Sequence, residues 1–331
     1  MMEVPSELRC PEDEGPLAPE GDLTVHDART LICAHGCQFP VVKNIPRFVN
    51  SSNYAEGFGL QWNAFRKTQL DSYTGTTISH DRLTRCLGGS LDIVKGKSVL
   101  EAGCGAGRFT EVLLGAGARV LACDLSEAVE ANYENCAHWP NYFVCQADIQ
   151  RLPLALNSFD IIVCLGVIQH TPDPELTIAT LAKYLKPGAT LVIDHYARNY
   201  SYTFSRRLLR PLLLRMPPVL AQRAAFALAR ALLPMHKMLW SNRRGIGRLR
   251  TYLSKISPLV DYYGAYPQLD RAHLSEWAIL DTHDTLTDRY KHLRSVDEIK
   301  RCLVSCGLVE IEVYEGGNGV EARARRTSTE P

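Results

Sequence analysis

The chain of 331 residues contains a glycine-rich stretch that could hold a ligand close to its backbone. It reads Glu101-Ala102-Gly103-Cys104-Gly105-Ala106-Gly107 and follows the short apolar run Ser98-Val99-Leu100. Glycine tolerates positive φ and lets a ligand approach where a side chain would block it. A dinucleotide site has the spacing Gly-x-Gly-x-x-Gly, but here the third glycine comes one residue early and an acid precedes the loop. That acid would repel a pyrophosphate and accept hydrogen bonds from an ammonium group, although a tight turn without a ligand remains an alternative.

Strand and helix signals alternate around this loop and must position it. Five strand-like segments can be recognised, at 97–101, 118–124, 141–148, 159–165 and 189–194. Helical stretches lie between them, and Lys186-Pro187-Gly188 is a stop signal for the helix before the fifth strand. Such alternation predicts a parallel sheet that is covered by helices on both faces and binds ligands at the carboxyl ends of its strands. With two further strands in the tail, we predict an α/β, doubly wound, Rossmann-like sheet of seven strands.

The series of motifs resembles the class I S-adenosylmethionine (SAM)-dependent methyltransferases, of the type that modifies small molecules. The resemblance covers roughly residues 54–325. The segments that carry it are Val99–Phe109, Asp124-Leu125-Ser126, Asp148-Ile149, Phe159–Cys164 and Leu185–Ala189. All of them occur in the order and with the spacing of that family.

The resemblance implies a role for each polar group at the first two strand ends. Glu101 and the backbone of Gly103, Gly105 and Gly107 would hold the methionine end of SAM. In Asp124-Leu125, the carboxylate would accept hydrogen bonds from both ribose hydroxyls. Capping of the following helix is the alternative for this aspartate.

The remaining implied SAM contacts come from the third and fourth strands and from the segment before the sheet. The Asp148 carboxylate would accept a hydrogen bond from the adenine amino group, and Ile149 would lie beside the adenine ring. Helix capping is again the alternative for the aspartate. Leu165 and Gly166 would line the channel for methyl transfer. Trp62, in Phe58-Gly59-Leu60-Gln61-Trp62, would close over SAM or pack in the core.

Three histidines are candidate general bases if the acceptor is a hydroxyl, because the pKa of histidine suits that role. His170 follows the fourth strand, His195 follows the fifth, and His283 lies in an acidic segment before the last helix. A hydrogen-bonded structural imidazole is the alternative for each. Together with Asp281 and Asp284, His283 could instead orient a base or bind sugar hydroxyls.

The N-terminal residues resemble the small zinc ribbons that accompany some methyltransferases. Cys10 opens one half, and Cys33 and Cys37 form the other. Structural zinc takes four ligands, but Asp13 stands where a second cysteine of the first half would be, so His26 or His35 could complete the set. The alternative is a degenerate ribbon without zinc. Most of the 11 cysteines lie in apolar runs and are expected to be reduced and buried.

A cationic segment stands out against an acidic remainder. Of the 37 Lys and Arg residues, 13 lie between His195 and Val260, where there is no Asp or Glu; this leaves 24 basic against 36 acidic residues elsewhere. We expect short helices here, broken by Pro211, Pro217-Pro218 and Pro234, that form a lid over the acceptor. Their arginines could contact an anionic membrane through residues 200–253, bind a phosphorylated or carboxylated acceptor, or pair with the acidic body.

These observations predict four regions: a degenerate zinc-ribbon-like segment (1–50), a SAM-binding core (51–195), a cationic helical insert (196–275) and the completion of the core sheet (276–331). The expected function is SAM-dependent methyl transfer to a small-molecule, sugar or lipid-linked acceptor, most plausibly at a hydroxyl. An RNA base methyltransferase is one alternative, but the acidic body makes a nucleic-acid partner unlikely. A catalytically silent SAM-binding scaffold is another. Without an apparent leader or membrane span, we expect a cytoplasmic protein, either free or peripheral to a membrane.

Overall fold

Two sheets are formed by the described residues of the chain. A computed structural model describes residues 4–20, 29–50, 52–200, 202–240 and 244–328. The strands are β1 (Leu17–Pro19), β2 (Thr30–Cys33), β3 (Gln38–Val42), β4 (Ile45–Pro46), β5 (Ser98–Ala102), β6 (Arg119–Asp124), β7 (Tyr142–Gln146), β8 (Phe159–Cys164), β9 (Leu185–His195), β10 (Leu308–Gly316) and β11 (Gly319–Arg326). The first four form a small antiparallel sheet, and the other seven form the central one.

The central sheet confirms the predicted doubly wound architecture. Its strand order is β10-β11-β9-β8-β5-β6-β7. Strand β11 is antiparallel to both of its neighbours, β10 and β9. The other adjacent strands, in the order β9-β8-β5-β6-β7, are parallel to one another. The strand order reverses between β5 and β8, so a crevice is expected beyond the carboxyl ends of these two strands.

Helices cover the sheet and form the insert. They are α1 (Glu56–Ala64), α2 (Asp71–Thr74), α3 (Ile78–Cys86), α4 (Arg108–Gly115), α5 (Ala128–Cys136), α6 (Pro174–Tyr184), α7 (Phe204–Leu213), α8 (Pro218–Met238), α9 (Arg244–Ile256), α10 (Arg271–Thr287) and α11 (Val296–Ser305). None of the helices in the described part of the chain combines the length and the apolar composition that crossing a bilayer requires.

Proline breaks the helices of the insert at one of the three predicted places. Pro217 precedes α8 and Pro218 occupies its first turn, where a missing N–H costs little. Pro211 and Pro234 instead lie inside α7 and α8. Each proline removes only its own backbone hydrogen bond, and α8 continues because Ala225, Ala229 and Leu233 stay buried. The prediction of breaks at Pro211 and Pro234 was therefore wrong.

The predicted helix stop at Lys186-Pro187-Gly188 was also wrong. α6 already ends at Tyr184, and these three residues lie inside β9, which begins at Leu185. The register between β8 and β9 shifts between Phe159 and Ile161, so the strand absorbs the proline and glycine at an irregular position.

The N-terminal sheet is joined to the core by apolar packing and by one buried arginine. Leu8, Leu17 and Leu31 belong to the same apolar cluster as residues of the central sheet. Arg47 is 8% exposed; its Nη1 donates to Gln146 Oε1 at 3.0 Å and its Nη2 to Glu130 Oε1 at 2.9 Å. This guanidinium therefore ties the ribbon to β7 and α5.

We predict that Arg47→Met lowers the free energy of unfolding by about 2–3 kcal/mol, because it leaves partly buried polar partners unsatisfied. Lys43→Met is the matched control: the Lys43 side chain is 69% exposed and pairs with the same Glu130. Its loss should cost less than about 1 kcal/mol in urea denaturation. Equal losses in the two variants would show that Arg47 has no special role in docking the ribbon.

Candidate active site

A cavity of about 280 Å³ lies at the carboxyl ends of β5, β6 and β8, where the strand order reverses. The glycine-rich loop after β5 forms part of the cavity wall. Residues of α1, α10 and the insert form other parts of the wall. The predicted edge of the sheet therefore carries a cavity that brings distant parts of the chain together.

The glycine-rich loop adopts a backbone conformation with positive φ angles that residues with a side chain rarely adopt. Gly103, Gly105 and Gly107 have φ values of 79°, 50° and 99°. A Cβ on Gly103 would lie 2.4 Å from Cγ2 of Val167, and one on Gly105 would lie 3.4 Å from the ring of Trp62. Gly103 and Gly105 line the cavity, whereas Gly107 precedes the first turn of α4 outside it.

Asp124 ends β6 and faces the cavity. Its Oδ2 accepts from the Gly105 amide at 2.9 Å, and its Oδ1 accepts from the amide and the hydroxyl of Ser126 at 2.8 and 2.7 Å. Burial raises the pKa of this carboxyl, while the hydrogen bonds from Ser126 and Gly105 oppose the rise. Asp124 thus links the glycine-rich loop to the turn after β6, and Leu125 beside it also lines the cavity.

Two predicted cofactor residues lie next to the cavity without lining it. Glu101 is buried under the loop and accepts from the Thr110 hydroxyl at 2.5 Å; burial raises its pKa to about 8. Asp148 accepts from the Gln150 amide at 2.9 Å and so caps the short 3-10 helix Ile149–Arg151. Ile149 itself reaches the cavity.

The other predicted cofactor residues all line the cavity: Trp62, Leu165 and Gly166. Gly166 has a φ of 79°, and its amide donates to Asp194 Oδ1 at 2.5 Å. Trp62 lies on α1 and covers Gly105, as the ring contact above shows.

Of the three candidate bases, His170 alone lines the cavity. Its Nδ1 lies 3.0 Å from the carbonyl oxygen of Tyr290 and 3.3 Å from Asp288 Oδ2. Burial disfavours the charged imidazole, but the hydrogen bond with Asp288 and the charges of Asp284 and Asp288 outweigh it and raise the pKa of His170 above 6.5. The arrangement is that of an imidazole oriented by a carboxylate.

His195 and His283 are buried beside the cavity and hydrogen-bonded within the fold. His195 Nδ1 lies 3.0 Å from the carbonyl oxygen of Tyr196. His283 Nδ1 lies 2.6 Å from Oε1 of Gln61, a side chain that does line the cavity. Burial lowers the pKa of both imidazoles to about 4.

The acidic segment around His283 is part of the long helix α10, which presents a different face to the cavity. Trp277, Asp281, Asp284 and Thr285 line it. Asp281, Asp284 and Thr285 follow Trp277 by four, seven and eight residues, so all four lie on one face of the helix. His283 comes two residues after Asp281 and therefore lies on another face. Burial, followed by the charge of Asp284, raises the pKa of Asp281 to about 7. This helical spacing was visible in the sequence, but without a predicted helix at 271–287 it could not be used.

Two arginines of the cavity wall were missed because no sequence pattern marks them. Arg82 on α3 pairs with the buried Asp194, and its Nε has no hydrogen-bond partner among the described residues. Arg108 on α4 donates to Ser79 and Gln69, and its Nη2 is likewise buried without a partner in the described structure. Burial, followed by the charge of Arg82, lowers the pKa of Arg108 to about 10. Two guanidinium groups thus line the cavity, and each has one buried nitrogen without a partner in the described structure.

Aromatic side chains from the insert form another part of the wall. Tyr196 and Tyr200 stack with ring centroids 4.8 Å apart, and Tyr262 and Tyr266 make edge contacts with Trp277 at 5.7 and 4.9 Å. All five rings line the cavity. They can exclude water from a ligand and provide flat contact surfaces.

Away from the cavity, the ribbon gathers the three predicted cysteine ligands around an aspartate. One ligand atom each from Cys10, Asp13, Cys33 and Cys37 lies within 4.8 Å of the others. Asp13 Oδ2 accepts from the Cys33 thiol at 3.0 Å and lies 2.7 Å from His35 Nδ1. Asp13 thus holds the fourth position that His26 or His35 was expected to fill; His35 contacts Asp13, and His26 lies outside the described residues.

Comparison with known proteins places a methyltransferase domain on the parallel part of the sheet. Residues 100–193 match the family model described as a methyltransferase domain. A Coxiella burnetii (strain Dugway 5J108-111) protein named ubiquinone biosynthesis O-methyltransferase is 37% identical over 110 residues, which are 32% of this chain and 47% of that protein. The protein of the same name from Hahella chejuensis is 35% identical over 107 residues, covering 31% of this chain and 45% of its own length. The matches thus span about half the length of these relatives.

A similar solved structure is a phosphoethanolamine N-methyltransferase 2 of Haemonchus contortus in complex with SAM. It is 15% identical, with a TM-score of 0.47, and the alignment covers 84% of this chain and 48% of that one. The family match and the strand order together identify a methyltransferase domain of the class I, SAM-dependent type.

Proposed function

We propose that the protein transfers a methyl group from SAM to a hydroxyl of a small-molecule, sugar or lipid-linked acceptor. The observation that carries this proposal is one cavity that joins the glycine-rich loop and Asp124 to His170 and its carboxylate partner. The relatives' name, ubiquinone biosynthesis O-methyltransferase, favours an oxygen acceptor.

The residues around the loop fit the groups that SAM carries. The open backbone at Gly103 and Gly105 would accept the methionine end. Asp124 already accepts three hydrogen bonds and has about one acceptor site left for a ribose hydroxyl. The unpartnered atoms of Arg82 and Arg108 would donate to the methionine carboxylate. Leu125 and Ile149 provide apolar surface for the adenine, near the carboxylate of Asp148.

When bound, SAM supplies a methyl group that is already activated as a sulfonium. The protein then has to orient the acceptor, exclude water and remove a proton. His170 is the proposed base: Nδ1 is turned toward two oxygen atoms and so carries the proton, which leaves Nε2 to accept the hydroxyl proton. Asp288 is held near His170 by Arg210 and Lys291, at 3.0 and 2.9 Å, and would stabilise the imidazolium.

The proposed activity is tested by incubating the protein with methyl-labelled SAM and panels of phenols, sugars and lipids, and measuring S-adenosylhomocysteine. Formation of this product with an O-methylated acceptor supports the proposal. Tight cofactor binding without turnover on any panel would instead favour a silent scaffold.

We predict that Asp124→Ala weakens binding of S-adenosylhomocysteine by about 2–4 kcal/mol, as expected for a charged hydrogen-bonding group. Calorimetry measures the change directly. Asp160→Ala is the control, because Asp160 lies at the start of β8, at the other end of the strand from the cavity. An unchanged affinity in the Asp124 variant would refute the ribose assignment.

We predict that NMR titration of the His170 ring gives a midpoint above 6.5, with the neutral, basic form gained as pH rises through it. Asp284→Asn should lower this midpoint, because it removes a nearby negative charge that favours protonation of the imidazole. His170→Ala should lower turnover about 10²–10⁴-fold while leaving affinity for S-adenosylhomocysteine unchanged. Two results would exclude His170 as the base: the same titration midpoint in Asp284→Asn as in the wild type, or full turnover in His170→Ala.

We also propose that the ribbon binds a structural zinc ion through Cys10, Asp13, Cys33 and Cys37. Three sulfur atoms and one carboxylate oxygen so close together suit tetrahedral zinc. Cys10 and Cys33 are buried, and His35 would orient the aspartate from outside. The bound metal would add to the apolar packing that joins this small sheet to the core.

We predict that the purified protein contains stoichiometric zinc and that Cys33→Ser loses it, together with part of its thermal stability. Cys306→Ser is the control, because that thiol lies at the end of α11. Elemental analysis and the visible spectrum of the cobalt-substituted protein report the metal and its thiolate ligands. A metal-free wild type with the stability of the zinc-treated sample would leave the cluster as a hydrogen-bonded group of thiols.

A further inference from the structure

Helix α7 packs Leu209 and Leu213 against the body, but it also carries a second apolar stripe that faces solvent. Phe204, Leu208 and Leu212 follow one another at intervals of four residues and are 71%, 57% and 56% exposed. Arg207 on the helix and Arg215, two residues after its end, are exposed as well. An amphipathic helix on a water-facing surface normally buries such an apolar stripe.

The buried side of the same helix carries two arginines. Arg206 is 9% exposed, and its guanidinium donates to the carbonyl oxygens of Pro258 and Leu259, both at 3.0 Å. Arg210 pairs with Asp288 at 3.0 Å. These polar contacts and the packing of Leu209 and Leu213 against α8 and α10 orient α7, and in this orientation the stripe of Phe204, Leu208 and Leu212 faces outward.

Helix α9 repeats this pattern beside α7. Leu249, Tyr252 and Ile256 are 55%, 64% and 50% exposed, and Arg248 and Lys255 are exposed among them. The Ser205 hydroxyl donates to the carbonyl oxygen of Ile256 at 2.6 Å, so the start of α7 meets the end of α9. The two stripes join there and form one surface, called here the α7–α9 surface: Phe204, Leu208, Leu212, Leu249, Tyr252 and Ile256.

The charge around this surface selects its partner. No Asp or Glu occurs from 196 to 260, so every charged side chain that α7 and α9 themselves contribute is basic. A second copy of the chain docking through the same face would bring these like charges together. An anionic bilayer accepts apolar groups at the depth of its headgroups and attracts the flanking Arg and Lys.

We propose that the α7–α9 surface docks the protein on anionic lipid bilayers. Arg206 on α7 and Val260 after α9 line the cavity, so docking would bring the cavity wall next to the membrane. The proposal concerns binding to lipid and stands independently of methyl transfer. If both hold, the lipid-linked class becomes the first acceptor class to examine.

The test is flotation of the full chain with vesicles of phosphatidylcholine alone or of an equal mixture with phosphatidylglycerol. We expect binding to the mixed vesicles that weakens at high salt, and little binding to phosphatidylcholine alone. The double variant Phe204→Ser/Leu208→Ser should reduce partitioning at least about tenfold. Arg207→Gln/Arg248→Gln should reduce it by about fivefold per charge at low salt, and less at high salt.

Val304→Ser is the matched control, because this α11 side chain is 57% exposed outside the insert and its loss should leave flotation unchanged. Affinity for S-adenosylhomocysteine, measured on every variant, shows that the fold is intact and keeps this test separate from that of methyl transfer. Absence of flotation with both vesicle types would overturn the proposal. So would a dimer, seen by light scattering, that Phe204→Ser/Leu208→Ser dissociates, because the surface would then be occupied by a second copy.

Discussion

The cavity depends on how closely two loops approach each other where the strand order of the sheet reverses. The loop after β5 and the loop after β8 meet at Gly103 and Val167, with no room for a Cβ on the glycine. The amides of Gly103 and Cys104 both donate to the carbonyl oxygen of Cys123 at the end of β6, at 2.7 and 2.9 Å. Three strand ends are thereby held together, and Asp124, Gly166 and His170 surround one space because of it. A side chain at Gly103 would separate the loops and the groups that follow them.

This compact arrangement has an electrostatic cost that the fold bears before any ligand binds. Burial raises the pKa of Glu101 to about 8 and that of Asp281 to about 7, while it lowers the pKa of Arg108 to about 10. A buried acid with a raised pKa binds its proton more tightly in the folded state, so stability falls as the pH rises from the unfolded value of 4.5 toward 8 at Glu101. Groups strained in this way are typical of ligand sites, since a bound partner of the right charge can relieve the cost.

The sequence was sufficient for the sheet and the loop because these depend on local patterns. Short, largely apolar runs rich in branched residues, such as Phe159–Cys164, favour buried strands, and the glycine spacing needs a backbone that other residues rarely adopt. The ends of the strands then fixed Asp124 and His170 at one edge. Arg82 and Arg108 could not be found in this way, because they reach the cavity through packing between helices far apart in the chain. Asp281 and Asp284 were recognised as candidates, but only the packing of α10 shows that they face the cavity and His283 does not. Asp13 was recognised as an anomaly, but only the folded ribbon shows that it stands with three thiols.

The cationic insert shows why composition alone left three interpretations open. A count of arginines is the same whether they bind the body, an acceptor or a membrane. The structure divides them: Arg206 and Arg210 turn inward to carbonyl groups and to Asp288, whereas Arg207, Arg215 and Arg248 stay at the surface. Since Arg206, Arg210 and the buried Leu213 all face inward, the contacts that hold α7 against the body also leave Phe204 and Leu208 facing outward. Pairing with the acidic body and exposure of an apolar stripe are therefore two consequences of one helix orientation.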